Sequence, residues 1–298
     1  MKNLLSKLYN CDICPRNCHI DRRTQKSICQ TGMNPIINLW QKHFGEEPII
    51  SGTKGSGTIF FAGCNLKCVY CQNYKISQYA YGKEYSIDEI SKIMLNLQNS
   101  GVHNINLVTP THNSIQLIYA IKKALSNGLQ IPIVWNTSSY EKADTLKLLS
   151  GYVDIYLADI RYINSSNSAR YSKAKDYPFY FKEAIKEMYH QVGDIITDEN
   201  NIAVSGLIIR ILVLPNNAND VKNILYWIYE NIGNKIYISL MSQYYPAFLA
   251  KNYSKINRGI TQKEYDEVLK ILYDLGFENG FIQKPAQTPE WTPEFKES

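Results

Sequence analysis

The sequence predicts an α/β fold on a mostly parallel sheet, and three observations point to it. From Thr58 onward, short apolar runs alternate with amphipathic segments that carry helix start and stop signals. Six strand–helix pairs follow one another, the pattern of a parallel sheet with crossover helices. The strands lack strict polar alternation, as expected of a sheet buried on both faces. A curled, partial (β/α)6 barrel and an open doubly wound sheet both satisfy this pattern. The chain has 298 residues, 45% of them hydrophobic, enough for a full core.

Thr58–Ala62 (TIFFA) is the first strand and ends at Gly63. Ser86 caps a helix from Ile87 to about Asn99, with Glu89 at the capping-box position and Gly101 beyond its end. Asn104–Val108 is the second strand, followed by a helix from about Asn113 to Ser126 and then Gly128. Ile131–Trp135 is a strand, Tyr140–Leu149 a helix and Val153–Ala158 a strand; residues 178–192 read as helical. Gly206–Leu214 is a strand, Ala218–Asn231 a helix and Lys235–Leu240 a strand. Thr261 caps a helix to about Leu275, Gly276 stops it, and the following FENGFIQ suits an edge strand. Residues 1–57, rich in Cys, Gly and Pro, form a small module with little core of its own. Residues 58–283 form the core domain and 284–298 a Pro-rich tail, expected over the barrel mouth or partly disordered. In either architecture, active sites lie at the carboxyl ends of the strands.

The net charge of +5 is spread along the chain. It suits an anionic substrate or acidic partner and is too weak to indicate nucleic acid. No run reaches the ~18 apolar residues of a membrane helix. The start, MKNLLSKLYNCDIC, is too short and too broken in its apolar stretch for a signal peptide. A cytoplasmic location is therefore expected. Thiols stay reduced there, so seven cysteines point to metal or redox chemistry rather than disulfides.

The cysteines fall into two sets. Cys64, Cys68 and Cys71 follow the first strand, in GSGTIFFAGCNLKCVYCQN. Thiolates are the usual ligands of iron–sulfur cubanes, and three cysteines leave one iron of four open. An open coordination position is what metal catalysis requires. The plain alternative is a zinc site, which needs a fourth ligand. Neither Cys nor His follows until His103.

Cys-x3-Cys-x2-Cys with Tyr70 before the third cysteine resembles the signature of the radical S-adenosylmethionine (SAM) superfamily. The resemblance implies a partial (β/α)6 TIM-like barrel and a [4Fe-4S] cluster whose open iron chelates SAM. It also implies reductive cleavage of SAM to a 5′-deoxyadenosyl radical that abstracts a substrate hydrogen. Further stretches, INLVTPTH, VWNTSSYE, VDIYLADIRY and ISLMSQYYP, resemble the PflX-like subgroup, related to pyruvate formate-lyase activating enzymes. That implies an oxidoreductase fed by a one-electron donor such as flavodoxin or ferredoxin, and a glycyl-radical protein as partner. A small molecule or a non-glycine side chain is the alternative substrate. A noncatalytic zinc or iron–sulfur module is the reading from a different class.

Thr109-Pro110-Thr111-His112 stands where many superfamily members carry Gly-Gly-Glu for the SAM amino group. Thr109 and Thr111 can offer contacts there; alternatively Thr111 or Asn113 is a helix cap. Asn136, after the third strand, resembles the activases' contact to the SAM ribose or a cation. Asp159 and Arg161 resemble their Asp-x-Lys segment, or form an ordinary ion pair. Arg210, inside an apolar strand, is expected to meet the SAM carboxylate; the alternatives are an internal ion pair or an edge-strand position.

The N-terminal set is Cys11-x2-Cys14-x3-Cys18-x10-Cys29, with Arg16, Arg22 and Arg23 close by. Four thiolates can close a zinc site or a second [4Fe-4S] cluster. The spacing is not the paired Cys-x2-Cys of a simple zinc ribbon.

Overall fold

The computed structural model describes residues 4–283 together with Pro293 and Phe295. The remaining tail residues lie outside the description. Among the described residues no helix is long and apolar enough to cross a membrane.

The chain enters through a 3-10 turn, Leu4–Leu8, and the cysteine-bearing loops. It then forms strand β1 (Ile36–His43), a short helix α1 (Pro48–Ser51) and strand β2 (Ser56–Phe61). Next come α2 (Tyr74–Ser77), β3 (Lys83–Glu84), α3 (Ile87–Asn99), β4 (Ile105–Val108) and α4 (Ser114–Ser126). The chain continues with β5 (Ile133–Thr137), α5 (Ala143–Lys147), β6 (Ile155–Asp159), α6 (Ser165–Ser172) and α7 (Tyr177–Val192). The last elements are β7 (Ile196–Thr197), β8 (Ala203–Leu212), α8 (Val221–Asn231), β9 (Tyr237–Met241), α9 (Gln262–Asp274) and β10 (Gly280–Ile282).

The parallel strands stand in the order β2-β4-β5-β6-β8-β9-β10, the order in which the chain makes them. A doubly wound sheet reverses its strand order at a switch point. This one does not, which selects the partial (β/α)6 barrel over the alternative. β10 is the expected short edge strand on β9. At the other edge β1 pairs antiparallel with β2 and carries β3 beyond it.

The strands are apolar on both sides because both sides are covered. Ile133 and Trp135 of β5 face the helices, in the main core with Ile105, Leu107, Ile209 and Ile211. Val134, Ile155, Leu157 and Ile208 turn to the concave side, where Ile50 of α1 packs against them. α1 thus plugs the floor of the barrel, tied by Asn104, whose side-chain amide donates to the Ile50 carbonyl at 2.7 Å. The segment that reads as a cysteine-rich module therefore adds a strand to the barrel sheet and a plug to its lumen.

Candidate active site

The loop that leaves β2 carries the three cysteines over the carboxyl ends of the strands. Cys64, Cys68 and Cys71 all line one cavity of about 710 Å³. Gly63 has φ +78°, and a Cβ there would overlap the Cys29 carbonyl oxygen. Only glycine lets this turn and the N-terminal loop approach so closely.

Each sulfur has its own hydrogen bond. Ser172 Oγ donates to Cys68 Sγ at 3.0 Å. Cys71 Sγ and Ser77 Oγ share a hydrogen bond of 3.0 Å, and the Leu66 amide donates to Cys64 Sγ at 3.3 Å. Burial pushes the Cys64 thiol up to about 12, with the neighbouring Cys68 raising it further. Burial raises Cys71 in the same way. Metal binding here must displace protons. Among the described residues no group of three or more His, Cys, Asp or Glu is preassembled around a single metal ion. A cubane is wider than an ion, so the donor set decides the fit. Three thiols on one cavity wall, each with a hydrogen bond of the kind that tunes cluster potential, fit a site-open [4Fe-4S] cluster.

Tyr70 lines the same cavity, 3% exposed. Its hydroxyl accepts from Tyr162 at 2.8 Å, and Tyr162 also lies 2.8 Å from Ser172 Oγ. A tyrosine pair therefore backs the serine that bonds Cys68.

The same cavity also carries a polar layer. Asn136, Asp159, Arg161 and Arg210, all singled out from sequence, line the cavity there. Arg210 Nε donates to Asp159 Oδ1 at 2.7 Å and Nη2 to Asn136 Oδ1 at 2.6 Å. Its Nη1 reaches Glu46 Oε2 at 3.1 Å. Burial works against the Arg210 charge, but Asp159, Glu47 and Glu46 outweigh it. Arg161 Nη2 holds the other Asp159 oxygen at 2.7 Å. Arg210 is thus an internal ion pair at the cavity floor. Arg161 is the more exposed of the two guanidiniums, at 27% against 14%.

Thr109 lines the cavity with φ +60°, a costly conformation for a β-branched residue. Its amide donates to the Asn136 carbonyl at 2.9 Å, which ties the ends of β4 and β5. Thr111 does not line the cavity. It is 1% exposed, and its hydroxyl donates to Glu141 Oε1 at 2.6 Å. His112 is buried as well, and burial pushes it down to about 3. Its Nε2 donates to the Ala62 carbonyl at 2.9 Å.

Three carboxylates were missed by sequence reasoning. Glu46 and Glu47 enter the lumen ahead of α1. Burial pushes the Glu47 carboxyl up against the pull of Arg210, and its Oε2 has no hydrogen-bond partner among the described residues. Glu141, fully buried, gathers Thr111, Thr137 and Trp135. For Glu46 and Glu47 the only available signal is an acidic pair before Pro48, which resembles any surface acidic pair; Glu141, between Tyr140 and Lys142, carries none.

The N-terminal cysteines also come together. Burial pushes the Cys14 thiol up to about 12, with Cys29, Cys11 and Cys18 raising it further, and Cys18 Sγ donates to the Cys11 carbonyl at 3.5 Å. Arg23 does not join them; it pairs with Asp21 at the surface, at 2.6 Å.

The sequence profile of the Radical SAM superfamily matches residues 58–228. A curated relative, "Uncharacterized protein MJ0674" of Methanocaldococcus jannaschii, is 32% identical over 272 residues, covering 88% of this chain and 74% of that protein. The crystal structure of HydG, described as a maturase of the [FeFe]-hydrogenase, superposes with a TM-score of 0.52 at 15% identity. That match covers 76% of this chain and 51% of the HydG chain, so this chain spans about half of HydG's length. At that identity the likeness is one of fold.

Proposed function

The chain belongs to the radical SAM superfamily, and from that premise we propose that it cleaves SAM reductively at a [4Fe-4S] cluster held by Cys64, Cys68 and Cys71. The observation that carries the reading is the placement of these three thiols on one cavity at the carboxyl ends of the barrel strands. When bound, the cluster and SAM supply a one-electron cleavage of the sulfonium to a 5′-deoxyadenosyl radical.

The chain's own residues supply position and enclosure. Ser172, Ser77 and the Leu66 amide orient the sulfurs. Arg161, the half-buried cation at the rim of the polar layer, is placed to meet a carboxylate. Asn136 and Asp159 hold the floor through Arg210. Tyr70 closes the wall beside Cys71.

For the substrate, the PflX-like stretches support hydrogen abstraction from a glycine of a glycyl-radical protein, with flavodoxin or ferredoxin as electron donor. A second reading, a small molecule or a non-glycine side chain, is favoured by Thr109-Pro110-Thr111-His112. This segment departs from the activase pattern, and its Thr111 hydroxyl is committed to Glu141. The N-terminal cysteines hold zinc or a second cluster in either case.

Anaerobic reconstitution tests the reading. The reconstituted chain should form 5′-deoxyadenosine from SAM and dithionite, and Cys68→Ala should abolish it. Zinc bound at this site, or a reduced cluster that leaves SAM intact, would refute the proposal. A glycyl radical detected by electron paramagnetic resonance in a partner protein separates the two substrate readings.

A further inference from the structure

We propose that Cys11, Cys14, Cys18 and Cys29 hold a second [4Fe-4S] cluster, closed by four thiolates, that passes one electron to the cluster at Cys64, Cys68 and Cys71. The relay rests on the assignment of that first cluster; the second metal centre does not.

Cys11, Cys14 and Cys18 sit on one loop and Cys29 on a second, and Arg22, which follows the first, donates to Thr31 Oγ1 of the second at 2.8 Å. Cys11 and Cys18 are bridged by a short closed loop, in which the Cys11 amide donates to the Ile20 carbonyl and the His19 amide to the Cys11 carbonyl, each at 2.9 Å. The second loop brings in Cys29, whose sulfur shares a 3.3 Å hydrogen bond with Thr31 Oγ1. Reduced thiols alone do not explain the charges built around them. Arg22 is 2% exposed. Its three acceptors are the Gly32 carbonyl, the His112 carbonyl and Thr31 Oγ1, all of them neutral. A buried guanidinium is costly without an anion near it. Among the described residues Arg16 likewise donates only to neutral carbonyls, those of Asn65, Lys173 and Ser172. A cluster carrying four thiolates has the net negative charge that these two cations lack.

The position distinguishes a relay from a staple. The Cys29 carbonyl rests on Gly63, the residue before Cys64, where any side chain would collide. Arg16 reaches from between Cys14 and Cys18 to the Asn65 carbonyl, next to Cys64, at 2.6 Å. The two cysteine loops therefore share one wall. A zinc ion takes no part in electron transfer and has no use for this adjacency. The step balances as a transfer of one electron. A flavodoxin- or ferredoxin-type donor reduces the second cluster from its 2+ to its 1+ core, and that core returns to 2+ as the first cluster is reduced by one electron.

The full chain, purified without oxygen and reconstituted, tests both parts. The variant C64A/C68A/C71A should retain about four irons and four sulfides per chain, and C14A/C29A about four, against about eight in the wild type. Near-UV circular dichroism and the milder C14S/C29S guard against a folding defect. One zinc and no iron in C64A/C68A/C71A overturns the second cluster, as does a wild type that holds only four irons. If that variant keeps its irons while the wild type makes no 5′-deoxyadenosine, the first-site reading fails and the second centre stands. For the relay, C14A/C29A should be reduced by a flavodoxin-type donor at least an order of magnitude more slowly than the wild type, with dithionite reduction unchanged. Equal rates with the protein donor overturn it.

Discussion

Glu141 is fully buried and takes three hydrogen bonds on one oxygen, from Thr111 at 2.6 Å, Thr137 at 2.7 Å and Trp135 Nε1 at 3.1 Å. It fastens the turn after β4 to the end of β5, and both flank the candidate SAM site. Replacing it with Ala leaves the indole N–H without an acceptor, which should cost about 2–4 kcal/mol. Glu141→Gln keeps the carbonyl acceptor and should cost about 1 kcal/mol or less. Urea midpoints at constant slope measure both, and equal losses would remove the hydrogen-bond explanation. Glu141 also marks the limit of what the sequence discloses about the site. Cys64, Cys68 and Cys71 are legible because their spacing within one loop is the whole signal. Glu46 and Glu47 act through Arg210, far along the chain, and Glu141 joins its near neighbours Trp135 and Thr137 to the distant Thr111, so no local pattern announces them. Arg210 shows the same limit. A charge in an apolar strand signals a partner, but only the fold reveals that Asp159, Asn136 and Glu46 already occupy it.

Helices α3 and α9 begin at capping boxes, Ser86 with Glu89 and Thr261 with Glu264. Both starts are readable from sequence because a capping box spans four consecutive residues. Strand β1 was not expected, since its pairing with β2 is its main support and IINLWQKH sits among loop residues. Expected β5 shifts from Ile131–Trp135 to Ile133–Thr137, because polar Asn136 and Thr137 continue the strand. Polar α6 escapes a search for apolar periodicity in the same way. The α9 cap carries a pH prediction. Hydrogen bonds from Arg258 lead the effects that lower the Glu264 carboxyl from 4.5 to about 2. A carboxyl lowered on folding stabilises the fold above its unfolded value, and the gain is lost as pH falls through the folded one. Glu264→Gln, which retains a capping-box side chain, should therefore cost about 1 kcal/mol near pH 7 in this partly exposed pair. The difference from wild type should close as pH approaches 2. Melting temperatures across that range check it, and a gap unchanged at pH 2 would exclude the ion pair as its source.

At the scale of the whole molecule, the barrel is not complete without the segment that precedes its first parallel strand. β1 covers one edge of β2 along six registered residue pairs, from Ile37 to His43. α1 places Ile50, 0% exposed, against Val134, Ile155, Leu157 and Ile208. Glu46 brings the carboxylate that Arg210 and Asn136 share. Removing residues before Gly55 would therefore open an apolar lumen to water and leave a buried guanidinium short of one anion. Lost burial of four or more aliphatic side chains, at about 1.5–3 kcal/mol each, is comparable with the whole stability of a domain. A chain beginning at Gly55 should keep much of its far-ultraviolet signal, lose the near-ultraviolet signal of its packed aromatics and bind a hydrophobic dye. The full-length chain should show neither change. Recovery of a truncated chain with native near-ultraviolet ellipticity and cooperative unfolding would mean that the parallel barrel stands by itself, and that the N-terminal segment serves its cysteines rather than the fold.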